Sequence, residues 1–307
     1  MPEKDLTKNE TTKKYFFFIM GCTIIFWASA FPSIKIGLRE LSPVNLTIMR
    51  LFVACIAFLI FLLIKPEKFS KLNKKDIIPI FLLGFFGVIV YHLGLNYGEQ
   101  YISPSAASLI IATIPIFVVI LAAIFLKEKI TVKIVTGVIL SLGGVVIISI
   151  AGKTDSSVEI YYLSGALAVL VGALMGAFYT IVGKKMLERY SALSLTVYAF
   201  LFGSLGLLPF VSTSLFEEAA LLSLTGWGIV LFLGICPTVI AYVFWYVALE
   251  IKTASEISLY LYFIPVLSTI ISYFLFDEQI TWLFIFGGTL VVLGLYVVNR
   301  QSRVRKL

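Results

Sequence analysis

Residues 104–131 read PSAASLIIATIPIFVVILAAIFLKEKIT, and residues 254–281 read ASEISLYLYFIPVLSTIISYFLFDEQIT. The match, at an offset of 150 residues, extends without a gap over Gly84–Gly144 and Gly234–Gly294. Unrelated apolar helices share composition, but they do not share proline, glutamate and glycine at one fixed offset. The chain is therefore predicted to contain an internal repeat. The matched positions are Gly84 with Gly234, Ser105 with Ser255, Ser108 with Ser258, Pro115 with Pro265, Glu128 with Glu278 and Gly137 with Gly287.

The composition places most of the chain in lipid. Of its 307 residues, 60% are hydrophobic and 13% are charged, and the mean hydropathy is +1.03. Soluble domains are about half apolar and a quarter charged, and a spanning helix needs about 20 mostly apolar residues. The predicted fold class is therefore an all-α integral membrane protein with ten transmembrane helices. The predicted spans are Tyr15–Ile36, Val44–Ile64, Ile77–Tyr97, Pro104–Leu126, Val132–Ile150, Tyr161–Val182, Leu193–Ser212, Thr225–Ala248, Ala254–Phe276 and Trp282–Val298.

The ten spans divide equally between two predicted repeats, residues 15–150 with helices 1–5 and residues 161–298 with helices 6–10. Because each repeat has an odd number of spans, the second enters the membrane from the opposite side. The chain is thus predicted to form two inverted five-helix repeats. Such repeats surround a site near the middle of the membrane that opens alternately to either side. This arrangement favours a transporter.

The basic residues predict the orientation, because cytoplasmic loops are enriched in lysine and arginine. With the N-terminus in the cytoplasm, 20 of the 24 basic residues lie in cytoplasmic segments. Both termini are therefore predicted to be cytoplasmic, in a multi-pass protein of the cell (plasma) membrane. The net charge of +7 does not indicate a nucleic-acid partner, because short loops carry it and no continuous basic face forms.

Further motifs accompany the repeat in both halves. In the first half they are Phe26-Trp27-Ala28, Phe31-Pro32-Ser33, Ser42-Pro43, Arg50, Tyr97, residues 101–109, Pro115 and residues 126–130; in the second half they are Tyr246, Thr253-Ala254-Ser255, Pro265 and residues 276–280. With these motifs the chain resembles the drug/metabolite transporter superfamily, and within it the ten-helix transporters with two EamA domains. The resemblance covers almost the whole chain. Helix 6 departs from it, with Gly172-Ala173-Leu174 where the first half has Ile25-Phe26-Trp27.

This resemblance implies a secondary transporter without a cofactor. Members export, and in some cases import, amino acids, nucleosides, sugars and other metabolites, and they are commonly taken to be driven by proton exchange. A likeness of fold says nothing finer about the substrate, which must be argued from a site.

Polar and aromatic residues inside helices 3 and 8 are the first candidates for substrate binding. His92 and Asn96 are four residues apart and share a helix face, as do Tyr242 and Tyr246 at the matching positions. Polar groups that face lipid without a partner are costly, so both faces are expected to point inward. The alternative is that they bond to neighbouring helices and only support packing. Three further aromatic candidates at the same depth are Tyr91, Trp245 and Trp27.

The helices that carry the repeated prolines supply the remaining binding and structural candidates. Ser105, Ser108 and Ser258 are small residues that leave space for a ligand or, alternatively, allow close helix packing. Pro115 and Pro265 are predicted to kink their helices, and these kinks could serve in gating. Repetition of Glu128 and Glu278 at the helix ends predicts a structural task for both.

Charged and titratable residues inside the spans are the candidates for proton coupling. Glu256, near the start of helix 9, and His92 are the two candidates, and at least one of them is predicted to bind and release protons, with the carboxylate favoured. For Glu256 the alternative is a carboxylate that complements the helix dipole at the cytoplasmic surface. Lys35 and Arg50 are expected to extend to the outer interface or to pair with Glu40.

The favoured function is proton-coupled export of amino acids or related amphipathic solutes, with import by the same fold as an alternative. An intramembrane lipid-modifying enzyme is the alternative from another class. It needs a nucleophile–base pair, metal ligands or an acidic cluster, whereas the chain has one histidine and neither GxSxG nor HExxH. No metal site is predicted, since the three cysteines lack ligand spacing. The predicted partners are a small-molecule substrate, protons and the lipid bilayer, and the sequence leaves the oligomeric state open.

Overall fold

The computed structural model describes residues 3–126, 132, 135–137, 139, 140, 143, 144, 147, 159–276 and 281–299. All elements of this part of the chain are helical. The α-helices are α1 (Glu3–Gly37), α2 (Pro43–Ile64), α3 (Ile77–Gly84), α4 (Tyr91–Tyr101), α5 (Pro104–Ile111), α6 (Ile114–Leu126), α7 (Glu159–Met186), α8 (Ala192–Ser204), α9 (Thr213–Leu221), α10 (Leu224–Gly234), α11 (Ala241–Ile251), α12 (Ala254–Ser258), α13 (Phe263–Phe276) and α14 (Trp282–Asn299).

Seven continuous helical stretches in the described residues are long and apolar enough to cross a membrane, and two shorter apolar helices follow them. They match nine of the ten predicted spans. The other predicted span, Val132–Ile150, lies mostly outside the described residues, as do Glu128 and Glu278. The long stretches are Tyr15–Gly37, Pro43–Ile64, Lys74–Tyr101, Pro104–Leu121, Tyr161–Met186, Ala192–Phe210 and Leu224–Ile251, and the shorter helices are Tyr260–Phe276 and Trp282–Gly294.

The backbone repeats at the same offset as the sequence. A π-helical segment, Phe85–Val90, joins α3 to α4, and a second one, Ile235–Ile240, joins α10 to α11. The two π segments begin and end at matching positions of the repeat, and the α-helices that follow them are equal in length. Single π turns inside α-helices are frequent at functional sites. The sequence did not predict them.

Pro237 changes the hydrogen bonds of the second π segment. In an α-helix the N–H of residue 237 would donate to the carbonyl of Leu233, but proline has no N–H. The hydroxyl of Thr238 donates to that carbonyl instead, at 2.6 Å. On the other side, the indole N–H of Trp27 donates to the Pro237 carbonyl at 2.9 Å. The irregular turn is therefore bonded to α1 in the other half of the chain.

The helices that carry the repeated prolines are interrupted just before each of them. In the first half α5 ends at Ile111 and α6 begins at Ile114, one residue before Pro115. The hydroxyl of Thr113 donates to the carbonyl of Ile110 at this break. In the second half a 3₁₀ turn, Leu259–Tyr262, precedes α13, which contains Pro265. A proline removes one helical hydrogen bond and crowds the turn before it, which accounts for both breaks.

The two halves of the chain interleave. Helix α1 packs on α11, and α7 packs on α4, so the first spanning helix of each half lies on the third helix of the other. Close approach of backbones makes this possible. A methyl group built on Gly84 would lie 1.8 Å from the carbonyl oxygen of Ala199 in α8, and one built on Gly234 would lie 3.0 Å from the carbonyl oxygen of Arg50 in α2. Glycines at matching positions therefore allow the backbones of the two halves to pack closely against each other.

Contacts at the ends of the spans and beyond them also join the halves. The carboxylate of Asp76 pairs with Arg189 at 2.7 Å. Glu40 accepts hydrogen bonds from the N–H and the hydroxyl of Ser223, at 2.8 and 2.7 Å. The backbone bond and then the hydroxyl bond favour the ionised carboxylate and lower the pKa of Glu40 below its ordinary value. Glu40 therefore holds the start of α10 through Ser223 and does not pair with Lys35 or Arg50.

Two lysines hold equivalent helix ends. The Lys35 ammonium group donates to the carbonyls of Glu99 and Ile102 at the end of α4, at 2.7 and 3.1 Å. The Lys184 ammonium group donates to the carbonyls of Leu249 and Lys252 at the end of α11. These two pairs of acceptors occupy matching positions of the repeat. Each lysine thus satisfies carbonyls that a helix leaves without an internal partner.

Replacing Lys35 or Lys184 by methionine should lower the free energy of unfolding by about 1–3 kcal/mol in each case, because carbonyls in the bundle lose their donor. Thermal unfolding of the purified protein in detergent measures this. Lys185→Met is the matched control, since Lys185 is exposed beside Lys184, and it should leave the midpoint unchanged. Equal midpoints for the Lys184 and Lys185 variants would contradict the assigned role.

Candidate functional site: a cavity between the two halves

A cavity lies in the middle of the bundle, where the halves meet. It encloses about 620 Å³ not occupied by protein atoms, and this volume includes space that is open to solvent. Spanning segments of both halves form its wall. The lining residues are Trp27, Ala30, Phe31, Arg50, Gly87, Tyr91, Leu95, Ile111, Ile114, Gly176, Tyr179, Thr180, Tyr242, Trp245, Leu261 and Ile264.

Three pairs of lining residues occupy matching positions of the repeat: Leu95 with Trp245, Ile111 with Leu261, and Ile114 with Ile264. Residues at matching positions of the repeat therefore contribute to the wall of the same cavity. In transporters built from inverted repeats, substrates bind at the interface between the repeats. The isoleucine and leucine pairs were missed by sequence reasoning, although the offset of the repeat marks them.

An aromatic cluster forms one side of the cavity. The Trp27 ring lies 5.6 Å from the Tyr242 ring and 5.1 Å from the Trp245 ring, between centroids. Tyr179 of α7 lies 5.4 Å from Tyr242 in an edge-to-face arrangement. These distances and angles are typical of favourable aromatic pairs. The cluster offers a rigid, largely apolar surface with hydroxyl and indole groups at its edge.

Tyr179 is a lining residue that the sequence did not single out. Its ring stacks on Tyr246 at 4.7 Å with an angle of 5° between the rings, and the Tyr246 hydroxyl donates to the Tyr179 carbonyl at 3.1 Å. A glycine in α7 makes room for this contact, because a methyl group on Gly183 would lie 2.1 Å from the Tyr246 hydroxyl oxygen. The sequence contained one signal for this contact, because Tyr179 lies between glycines of α7, which is the predicted helix 6.

The residues predicted to bind substrate divide into two groups. Trp27, Tyr91, Tyr242 and Trp245 line the cavity. The other group is fully or almost fully buried and lies outside the set of lining residues. Its members are His92, Asn96, Tyr246, Ser105, Ser108 and Ser258.

For His92 and Asn96, the reason is the orientation of α4 about its own axis. Tyr91 and Leu95 face the cavity, whereas His92 and Asn96, one position further, face a neighbouring direction. The Asn96 amide donates to the Thr47 hydroxyl of α2 at 2.8 Å. The His92 ring N–H at Nδ1 donates to the Val88 carbonyl at 2.6 Å, and Nε2 meets no partner among the described residues. The predicted face is inward, but it contacts α2 and the cavity wall rather than open space.

The predicted serines lie at the start of α5 and at the end of α12. The Ser108 hydroxyl donates to the Ser105 carbonyl at 2.8 Å, and Ser258 is 1% exposed. Glu256 lies in α12, but its side chain is outside the part of the chain that the structure describes.

Arg50 was expected at the outer interface, and this expectation is wrong. Its side chain is 2% exposed and lines the cavity. Nε donates to the hydroxyl of Thr238 at 2.7 Å, so the π segment around Pro237 positions the guanidinium group. The sequence could not indicate this contact, because 188 residues separate the two partners.

Comparisons with known proteins agree with this architecture. The chain is 39% identical to an uncharacterized transporter of Archaeoglobus fulgidus, over 92% of this chain and 98% of that protein. It is 30% identical to a protein of Streptantibioticus cattleyicolor named as a probable terminal-alkyne amino-acid exporter, over 92% and 93% of the two chains. A protein of known crystal structure superposes with a TM-score of 0.64 at 18% identity, covering 96% of this chain and 99% of that one.

The description that fits both halves is that of the EamA-like transporter family, which matches residues 13–150 and 163–300. Relatives that align over nearly the whole chain are named as transporters, not as enzymes. With its apolar spanning helices and the cavity between its halves, the chain is a multi-pass membrane protein that belongs to the EamA-like transporter family.

Proposed function

We propose that this protein is a proton-coupled exporter of amphipathic solutes of the amino-acid type. The observation that carries the proposal is the cavity between the halves, which combines an aromatic wall with a few polar groups. Such a site suits a solute that has an apolar body and a polar end. The amino-acid exporter among the relatives supports this class of substrate.

Alternating access provides the mechanism. Ile111, Ile114, Leu261 and Ile264 lie beside the interruptions of the proline-containing helices and line the cavity. Movement at the two breaks would change the wall on one side of the cavity at a time. A bound solute then faces each side of the membrane in turn, as inverted repeats permit.

Proton coupling is assigned to Glu256, with His92 as the second candidate. A carboxylate near the hydrocarbon region binds a proton more readily than one in water, so exchange with solvent can change its charge. His92 is 0% exposed and lies with its ring 5.9 Å from the Tyr242 ring, so it contributes to the wall behind that tyrosine. We further propose that residues 15–150 and 161–298 are the two repeats and that both termini face the cytoplasm in the plasma membrane.

Inside-out vesicles from cells that express the protein should accumulate radiolabelled L-phenylalanine when the lumen is acidified. Protons leaving the lumen would drive the solute inward, which corresponds to export from the cell. A protonophore should abolish the accumulation. Accumulation that is unaffected by the gradient would contradict proton coupling, and accumulation in right-side-out vesicles with an acidic medium would indicate import instead.

In the same assay Glu256→Gln should abolish gradient-driven accumulation and retain exchange of labelled for unlabelled phenylalanine. The side chain keeps its shape but no longer titrates. Glu217→Gln is the matched control, because Glu217 is an exposed residue of α9. Normal accumulation by Glu256→Gln would leave Glu256 as a charge at a helix end.

A further inference from the structure

Arg50 is a buried cation with donor capacity to spare. Its Nε is bonded to Thr238, whereas Nη1 meets no acceptor among the described residues. A guanidinium group has five N–H donors in a fixed plane, and a buried charge without its hydrogen bonds is costly. Arg50 therefore has an N–H donor that is available to an additional acceptor.

The surroundings of Arg50 are suited to one kind of acceptor. Tyr91 and Tyr242 line the same cavity as Arg50, and the carboxylate of Glu99 at the end of α4 is close enough to favour the charged form of Arg50. In the described part of the chain, the lining includes Arg50 but no carboxylate. Glu99 is not one of the lining residues, so the charged group that the described wall itself offers to a solute is the guanidinium group. A solute with an anionic end is attracted, and one with a cationic end is repelled.

We propose that Arg50 is the specificity-determining residue of the transporter and binds the carboxylate of a solute whose apolar or aromatic body packs on the aromatic cluster. This inference rests on the proposed function and narrows it. The substrates are carboxylates with an apolar body, either zwitterionic as in amino acids or simply anionic. The planar guanidinium group pairs with a carboxylate more strongly than with a neutral group, because charge-assisted hydrogen bonds are about twice as strong.

A series of three probes of similar size tests the wild-type protein directly. They are 3-phenylpropionate, its methyl ester and 3-phenylpropylamine, and their binding to the full-length protein in detergent is measured by calorimetry. The affinity for the acid should exceed the affinities for the ester and the amine by at least about tenfold, since the acid alone offers an ionised acceptor. Equal or tighter binding of the ester or the amine would overturn the inference.

Substitution of Arg50 assigns the preference to this residue. In Arg50→Gln the acid should lose its advantage over the ester, while Arg50→Lys should retain part of it through charge alone. Arg39→Gln is the matched control, because Arg39 lies in the turn between α1 and α2 and stacks on Phe276; it should preserve the full preference. An acid preference that survives in Arg50→Gln would overturn the assignment.

The wild-type series remains decisive if Arg50→Gln fails to fold. If phenylalanine is transported but the acid has no advantage, the inference falls and the proposed function stands. If none of the three probes binds and phenylalanine is not transported, both fall.

Discussion

Replacing Gly84 by valine should leave little folded protein. The backbones of α3 and α8 touch here: a methyl group on Gly84 would lie 1.8 Å from the Ala199 carbonyl oxygen, and one on Gly203 would lie 2.5 Å from the Gly84 carbonyl carbon. Backbone atoms cannot move aside as a flexible side chain can, so the helices must separate. We expect the free energy of unfolding to fall by about 3 kcal/mol or more, at the upper end of overpacking costs. The yield and the unfolding midpoint of the purified protein test this expectation.

Gly228→Val is the control for this substitution. Gly228 is also a glycine in an apolar helix, α10, but a methyl group built on it meets no atom of the described chain within 4 Å. Its substitution should change the free energy of unfolding by less than about 1 kcal/mol, which is the range of helix propensities. Similar losses for the two variants would show that glycine content, and not the close approach of α3 and α8, determines stability.

Replacing Trp27 by alanine should reduce phenylalanine binding by about a hundredfold. The indole contacts Tyr242 and Trp245 and donates to the Pro237 carbonyl, so its removal enlarges the cavity and releases the π segment. Truncation of a tryptophan that anchors a binding partner typically costs about 2–4 kcal/mol of binding free energy, and about 2.7 kcal/mol corresponds to a hundredfold change in affinity. Equilibrium binding to the purified, folded variant measures this effect.

Two further tryptophan variants sharpen the test. Trp27→Phe retains a ring but not the N–H, so any remaining loss reports the bond to Pro237. Trp227→Ala removes an indole that is 41% exposed on α10 and absent from the cavity lining, and it should bind phenylalanine normally. Normal binding by Trp27→Ala would place the substrate site elsewhere.

The repeat predicted much of the fold because the residues that define it act on the backbone close to their own positions. Glycine and proline at fixed positions impose the same breaks and close approaches in both halves, so the offset of the repeat in the sequence became the offset of the repeat in the backbone. The spans followed from apolar length. The extra residue of the second π segment is different, because that segment includes the side-chain bond from Thr238 to Leu233, which a hydropathy pattern does not encode.

The sequence predicted which turns of the helices carry the site, but only partly which side chains face the cavity. Tyr91 and His92 are adjacent, and consecutive residues of a helix point about 100° apart. Which of them faces the cavity depends on how α4 leaves its π segment and packs on α7. Arg50 was misplaced for a related reason: interfacial snorkelling and burial beside Thr238 are equally compatible with its position near the end of an apolar run.

The paired lining residues have a consequence for the empty carrier. If the outward-open and inward-open forms exchange the conformations of the two halves, then each matched position takes the other's place. A pair with nearly equal side chains, such as Ile111 and Leu261 or Ile114 and Ile264, then contributes almost equally to the free energies of both forms. The resting bias between them must come from matched residues that differ, such as Leu95 and Trp245, and from lining residues without an equivalent, chiefly Trp27, Arg50 and Tyr179. A difference of about 1.4 kcal/mol among these side chains is enough for a tenfold preference.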